Sequence, residues 1–328
     1  MTLPVSRRAT LMAMGAALAP TISSAASAPR PWPSKPLRLV VGFPGGSSPD
    51  LVARTLADPL SKALGQPVIV ENRVGASGNI AAEYVSRAQD DHTIGLMING
   101  NMTIAKLLNP KLGYSPLKDL APVSLLTTAP LVLTALPQTN AGTLESFLAT
   151  ARKAGNQWSY GSPGIGTVAH IGMEWLKSLT HLEPVHIPYP GNPQVISAML
   201  GGEIQLALLP PGLVASQIRA GKLRGVAVTS AVRSSLLPEV PSLAEAGIRN
   251  FNLEVWDAVA APPSMPAAIV QTLSSLIGGI VRQAEVREKL FQQGWQVVGS
   301  SAEGLANRVK ADYGAMAEVI TRKGIVAD

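Results

Sequence analysis

The 328-residue sequence contains no cysteine, which excludes disulfides, thiolate zinc sites and cysteine nucleophiles together. Histidine is nearly as scarce. The four present, His92, His170, His181 and His186, show no ligand spacing such as H-E-x-x-H, so no metal site is expected. Charged residues make up 15% and aromatics 4% of the chain, and the lysines and arginines form no basic stripe interleaved with aromatics. The electrostatic footprint of phosphate-backbone binding is therefore missing, and nucleic acid is not an expected partner. Long apolar runs are also lacking: the longest, near the start, is about 14 residues, short of the ~20 that span a bilayer.

What is present is apolar. At 46% hydrophobic, the chain has enough apolar side chains for two ordinary cores and too many for disorder. An exported domain without disulfides relies on such core size. The first thirty residues show a basic start, an Ala/Met/Leu run and then small residues, the pattern of an export signal at 1–26. Ser6-Arg7-Arg8 resembles a twin-arginine signal, although paired arginines also occur in ordinary secretory signals. Removing Arg7 and Arg8 leaves 25 basic against 21 acidic side chains.

After a proline-rich lead-in, strand-like runs at 37–42, 67–71 and 93–98 alternate with helix-like stretches at 50–64, 79–88 and 102–108. This βα rhythm predicts a mainly parallel sheet covered on both faces. In the first helix Leu51, Val52, Leu56 and Leu60 share a face, Gly65 sits at the C-cap, and Pro59 predicts a kink. "LAPVSLLTTAPLVLTALP" is too long for one strand and reads as a crossing from one lobe to another. A second βα series then runs to about 229, "FNLEVWDAVAAPP" is able to cross back, and two helices, about 266–293 and 301–323, close the chain. The expected fold is α/β and two-lobed, with two mainly parallel sheets and a cleft between them. Lobe 1 is expected over 33–130 plus 255–328, and lobe 2 over 131–254.

Two glycine-rich loops stand out. In "VVGFPGGSSPD" Ser48 suits an N-cap, Pro49 the first helical position and Asp50 the first turn. The loop lacks the lysine of a P-loop and the spacing of G-x-G-x-x-G, and no cofactor is expected. From spacing alone it serves equally as an anion cradle or as a plain way into a helix. "WSYGSPGIGTVAHIG" has the same build, with Thr167 as cap. Two such helix starts, one per lobe, could hold a carboxylate across the cleft through backbone amides. "VGASGN" (Val74 to Asn79) is a third, and Asn99, Gly100 and Asn101 end a strand at the same carboxyl edge. His170 reads equally as a ligand-edge residue or a structural one. Trp256 reads as core, and Tyr189 as either core or ligand platform. Ser162 is a poor nucleophile, because "YGSPG" is no G-x-S-x-G elbow.

These motifs, with "LGQPVIVENRVGASGNIAAE", "IPYPG", "IRAGKLRGVAVTSAVRSSLLPEVPSLAEAG" and "APPSMP", resemble in order the Bug family, the periplasmic substrate-binding receptors of tripartite tricarboxylate transporters. The resemblance covers nearly all of 32–328. It implies a periplasmic Venus-flytrap receptor without catalysis, expected to be a monomer. Such a receptor closes over a small organic acid or related solute and presents it to membrane transporter subunits or a sensor. Carried over by position, the ligand-binding residues are Phe43, Gly45, Gly46, Ser47, Ser48 and Asp50 in the first loop and Ser162, Gly164, Gly166, Thr167 and His170 in the second. Ser77, Asn99 and Tyr189 join them at the rim. Ser47 and Pro49 replace a glycine and a threonine usual in relatives. The run Ile204 to Pro211 lacks the usual acid, which predicts an apolar far end of the pocket and an apolar or aromatic acid rather than an amino acid. The competing classes are an exported α/β hydrolase, needing a nucleophile and base that the spacing does not supply, and a ligand-free sensor or scaffold partner.

Overall fold

Each apolar run in the first third of the chain becomes a strand whose neighbours in the sheet are set by the helices between them. The structure, a computed structural model, describes residues 32–139, 143–249 and 251–325. The predicted export signal at 1–26 lies outside the described residues. In chain order the first elements are β1 (Leu37–Val41), α1 (Ser48–Leu64), β2 (Val68–Asn72), α2 (Asn79–Ser86) and β3 (Thr93–Ile98). A π-helical turn at Gly100–Ile104 leads into α3 (Ala105–Leu108), followed by α4 (Pro116–Asp119), β4 (Ala121–Pro130) and β5 (Val132–Ala135). Next come α5 (Leu144–Ala154), β6 (Ser159–Ser162), α6 (Val168–Thr180), β7 (Val185–Pro188), α7 (Asn192–Leu200), β8 (Leu206–Leu209), α8 (Pro211–Arg219) and β9 (Arg224–Val228). The chain ends with β10 (Glu254–Ala261), α9 (Ala267–Val281), α10 (Ala284–Gln292), β11 (Gln296–Val297) and α11 (Ala302–Lys323).

Two sheets result, in the orders β11-β4-β10-β3-β1-β2 and β7-β6-β8-β5-β9. They are mixed rather than mainly parallel. β1 pairs in parallel with β2 and β3, and β6 with β7 and β8, as the βα rhythm requires. β10 is antiparallel to both β3 and β4, and β5 to β8 and β9. The reason lies in the crossings: the chain leaves the first sheet on β4 and returns on β10, so the two run in opposite directions side by side. Each sheet is covered on both faces by apolar side chains. Leu39, Leu56 and Ile277 lie in one layer of the first sheet and Val40, Met97 and Trp256 in the other. Phe147 and Leu208, and then Val195 and Leu209, do the same for the second. Trp256 is core, as expected, and its indole N–H donates to Asp312 Oδ2 at 2.7 Å.

Only Leu131 separates β4 from β5, and Thr229 ties this crossing to the returning one. Leu131 N–H donates to Thr229 Oγ1 (2.8 Å), whose hydroxyl donates to Leu253 O (2.6 Å). Thr229 N–H bonds Leu131 O and Leu253 N–H bonds Thr229 O. One buried threonine thus knots the two inter-sheet connections.

Two local expectations are corrected. The N-cap of α1 is Ser47, with Ser48 already helical and no side-chain cap bond; Asp50 folds back onto the loop instead. The helix continues through Pro59 to the left-handed cap at Gly65. The expected helix at 266–293 breaks at Arg282 and Gln283, because turning there returns Val286 and Leu290 to the core already holding Ile277 and Val281. Among the described residues no helix is long and apolar enough to cross a membrane.

Candidate functional site

The loop after β1 is held rigid by its own aspartate. Asp50, 1% exposed, accepts from Gly46 N–H (2.9 Å), Arg54 Nε (2.9 Å) and Asn72 Nδ2 (2.8 Å), while Asn72 Nδ2 also donates to Phe43 O. Burial opposes the charged form of Asp50. The bonds from Arg54, Asn72 and Gly46 together outweigh it and hold the carboxyl below its usual range. Gly46 takes φ +77°, which a side chain would strain, and Ser47 N–H bonds Pro44 O. Two amides of this loop are thus engaged within it. What the loop turns towards the cleft is the side chains of Phe43, Ser47 and Ser48, and Ser47 Oγ is buried without a protein partner.

The loop after β6 is similarly self-supporting. Thr167 Oγ1 donates to Gly164 O (2.7 Å) and accepts from His170 N–H, capping α6. Gly164 N–H donates to Ser162 Oγ and Gly166 N–H to His170 Nδ1. Below it, Ser162 Oγ lies 2.7 Å from His186 Nε2, a pair that residues 24 apart in sequence did not announce. The imidazole of His186 is stacked between the phenol ring of Tyr160 and the imidazole of His170, with centroids 4.7 and 4.3 Å away. Burial, then the neighbouring His170 and Lys177, push His186 down to about 4 against the pull of Glu174. Such a weak base suits no proton abstraction at neutral pH. Glu174 is engaged by Tyr160 O–H and Lys177, and Ser162 is fully buried and lines neither cavity described below. The pair supports the loop; it is not a hydrolytic dyad.

The two lobes meet at glycines. A methyl group at Gly164 would lie 2.3 Å from Ser77 Oγ, and one at Gly100 would lie 3.0 Å from Gly166 O. On the far side, a methyl at Gly212 would lie 1.9 Å from Gln293 O, opposite Gly294. Ser77 and its neighbour Ala76 hold left-handed φ values of 56° and 47°, unusual for side-chain-bearing residues. Asn101 Nδ2 secures them by donating to Ser77 O and Asn79 Oδ1.

This closed contact divides the space between the lobes. An outer cleft of about 740 Å³ is bordered by Ser77, Gly164, Gly166 and Tyr189, and an inner cavity of about 40 Å³ by Phe43, Ser47, Ser48 and Thr167, with Pro163 on both. Eight of the fourteen residues singled out from the sequence therefore line one or the other. Gly45, Gly46, Asp50, Asn99, Ser162 and His170 line neither. Asp50, Ser162 and His170 brace the loops, and Asn99 Nδ2 donates to Glu254 O at the returning crossing. The inner cavity holds on the order of three waters, so a larger solute needs the lobes farther apart than they stand here.

Sequence reading missed Trp295, Asn192 and above all Asp257 in the inner wall. Asp257 is 0% exposed, and neither carboxyl oxygen has a protein partner. Its place follows from register: on β10 it stands opposite Ile98 of β3 and Thr127 of β4. An unpaired charge so placed costs on the order of several kcal/mol, a large part of the roughly 5–15 kcal/mol that keeps a domain folded. Burial accordingly pushes its pKa well above the usual carboxylate range. The expected apolar far end thus contains an acid, supplied by β10 instead of the run at 204–211. The signal was there, an aspartate interrupting the apolar run from Val255 to Ala261. No lysine, arginine or histidine lines either space. Among the described residues no group of three or more acidic or imidazole side chains could hold a metal ion.

Comparison with known proteins follows the same geometry. The sequence model of a family described as "Tripartite tricarboxylate transporter family receptor" matches residues 52–325. The structure of periplasmic binding protein BugD is similar at TM-score 0.85 and 29% identity, over 90% of this chain and 99% of that one. MatC from Rhodopseudomonas palustris with bound malate is similar at TM-score 0.84 and 29% identity, over 88% and 99%. R. palustris Rpa4515 with adipate is similar at TM-score 0.86 and 29% identity, over 90% and 99%.

Proposed function

The chain belongs to the tripartite tricarboxylate transporter receptor family, and from that premise we propose that it captures a small carboxylate-bearing solute between its lobes in the periplasm and hands it to membrane transporter subunits or a sensor. It is a solute-binding receptor and not an enzyme. The observation that carries the proposal is the pair of braced glycine-rich loops, one per lobe, whose Ser47, Ser48 and Thr167 line one cavity. A solute touching both loops favours only the state in which both are near, which is how binding drives closure. The hydroxyls of Ser47 and Ser48 supply donors to a carboxylate from the first lobe, and Thr167 at the start of α6 stands opposite. Residues 1–26 act as the export signal, and the mature receptor works as a monomer.

A thermal-shift screen with mono-, di- and tricarboxylates, aromatic acids and amino acids tests this, since a solute well above its dissociation constant raises the melting temperature. Malate and adipate belong in it because similar receptors hold them. At least one carboxylate should stabilise the protein. Ser47→Ala, which removes a hydroxyl bonded to no protein group, should weaken that solute about ten-fold or more without lowering the melting temperature of the free protein. A screen without any stabilising carboxylate, or unchanged affinity in Ser47→Ala, would overturn the two-loop reading.

A further inference from the structure

We infer that Asp257 makes the inner cavity selective for an amine-bearing monocarboxylate, pairing its carboxylate with the solute's ammonium while the glycine-rich loops take the solute's own carboxylate. The inference rests on the proposed function for the loop half of the grip; Asp257 is its own half.

Both oxygens of Asp257 are buried in the cavity wall with no protein donor in reach. The two neighbouring hydroxyls that could have served it, Ser47 Oγ in the same wall and Thr127 Oγ1 across the strand pair, are themselves unpartnered. A strand that needed only an apolar contact here would carry valine, as it does two residues on either side, at Val255 and Val259. Charge decides which solute suits the acid. The lining of the inner cavity and of the outer cleft contains no basic side chain, so burial keeps Asp257 neutral while no solute is bound, and an ammonium is the solute group that draws it into its charged form. An ammonium balances it and, with up to three N–H donors, can satisfy both acid oxygens at once. The rest of the wall, with Phe43, Leu208, Val255 and Trp295, suits the short apolar chain joining the two ends.

The test uses matched aliphatic sets of three to six carbons: the ω-amino acid, the plain acid, the plain amine and the diacid of each length. Each is titrated calorimetrically into the wild-type protein, Asp257→Asn and Asp257→Ser. At the best-fitting length the amino acid should bind the wild type about ten-fold or more tightly than its plain acid, and both variants should lose that preference. The fold of each variant is checked by circular dichroism, and Asn, nearly isosteric with Asp, is expected to fold. If plain acids or diacids bind the wild type as well as the amino acids do, or the preference survives both substitutions, the inference falls while the carboxylate reading stands. If plain amines bind through Asp257 while neither the plain acids nor the amino acids bind, the carboxylate reading falls and the inference, losing its loop half, falls with it. Binding by no member of any set overturns it.

Discussion

His186 shows how a single side chain reports on the loop above it. Half-buried between two rings and hydrogen-bonded to Ser162, it is neutral in the folded protein, with its pKa pushed down to about 4. The unfolded chain takes up the proton first, near the ordinary histidine value of about 6.5. Stability is therefore fully present above that pH and declines as pH falls towards 4. The wild-type melting temperature should drop across this window more than that of His186→Gln, whose amide can still hydrogen-bond Ser162 as donor or acceptor; equal slopes for the two proteins in a thermal melt series would contradict this. At this scale the sequence was partly legible. Ser47, Ser48 and Thr167 sit in motifs whose chemistry is local, and so could be named in advance. Asp257 could not be placed, because its importance depends on the strands beside it and on the opposing lobe, which no spacing along the chain encodes.

Among the elements, strands and helices came through well because periodicity records which face is buried, and Gly65 marks an end by a backbone need that glycine alone meets cheaply. Sheet direction did not, since β4 and β10 look the same whichever way they run. The break between α9 and α10 was equally hidden, because apolar spacing continues through it and only the position of the core shows that the chain must turn. Hidden too was the contact of α8 with the segment after α10. There Gly212 faces Gln293 and Gly294 so closely that no side chain fits between the lobes. Gly212 has no positive φ, so alanine would not strain its backbone; it would act purely as a wedge. Gly212→Ala should leave both lobes folded, enlarge the radius of gyration seen by small-angle X-ray scattering and weaken solute binding about ten-fold or more, since binding energy is then diverted into closing against the methyl group. An unchanged radius together with unchanged affinity would show that the lobes slide past the added carbon.

At the scale of the whole molecule the two-lobed plan was legible from the paired βα series and the two long crossing strands, and Thr229 shows how tightly those crossings are joined. What the plan did not foresee is the reach of α11. Its 22 residues extend about 33 Å. Leu305 and Val309 pack beneath the first sheet, whereas Met316, Val319, Ile320 and the following Ile325 pack on the core of the second. A rod fixed to both lobes cannot stay seated on both while they part. Opening must therefore lift apolar side chains into water, and closing must return them. Hydrating apolar surface raises heat capacity, so the solute's own contacts are only part of the calorimetric signature of capture. Titrations at several temperatures should give a negative heat-capacity change larger than burial of a small acid supplies, and Ile320→Ser should shrink it. A change no larger than the solute accounts for would mean that α11 rides through closure with both its seats undisturbed.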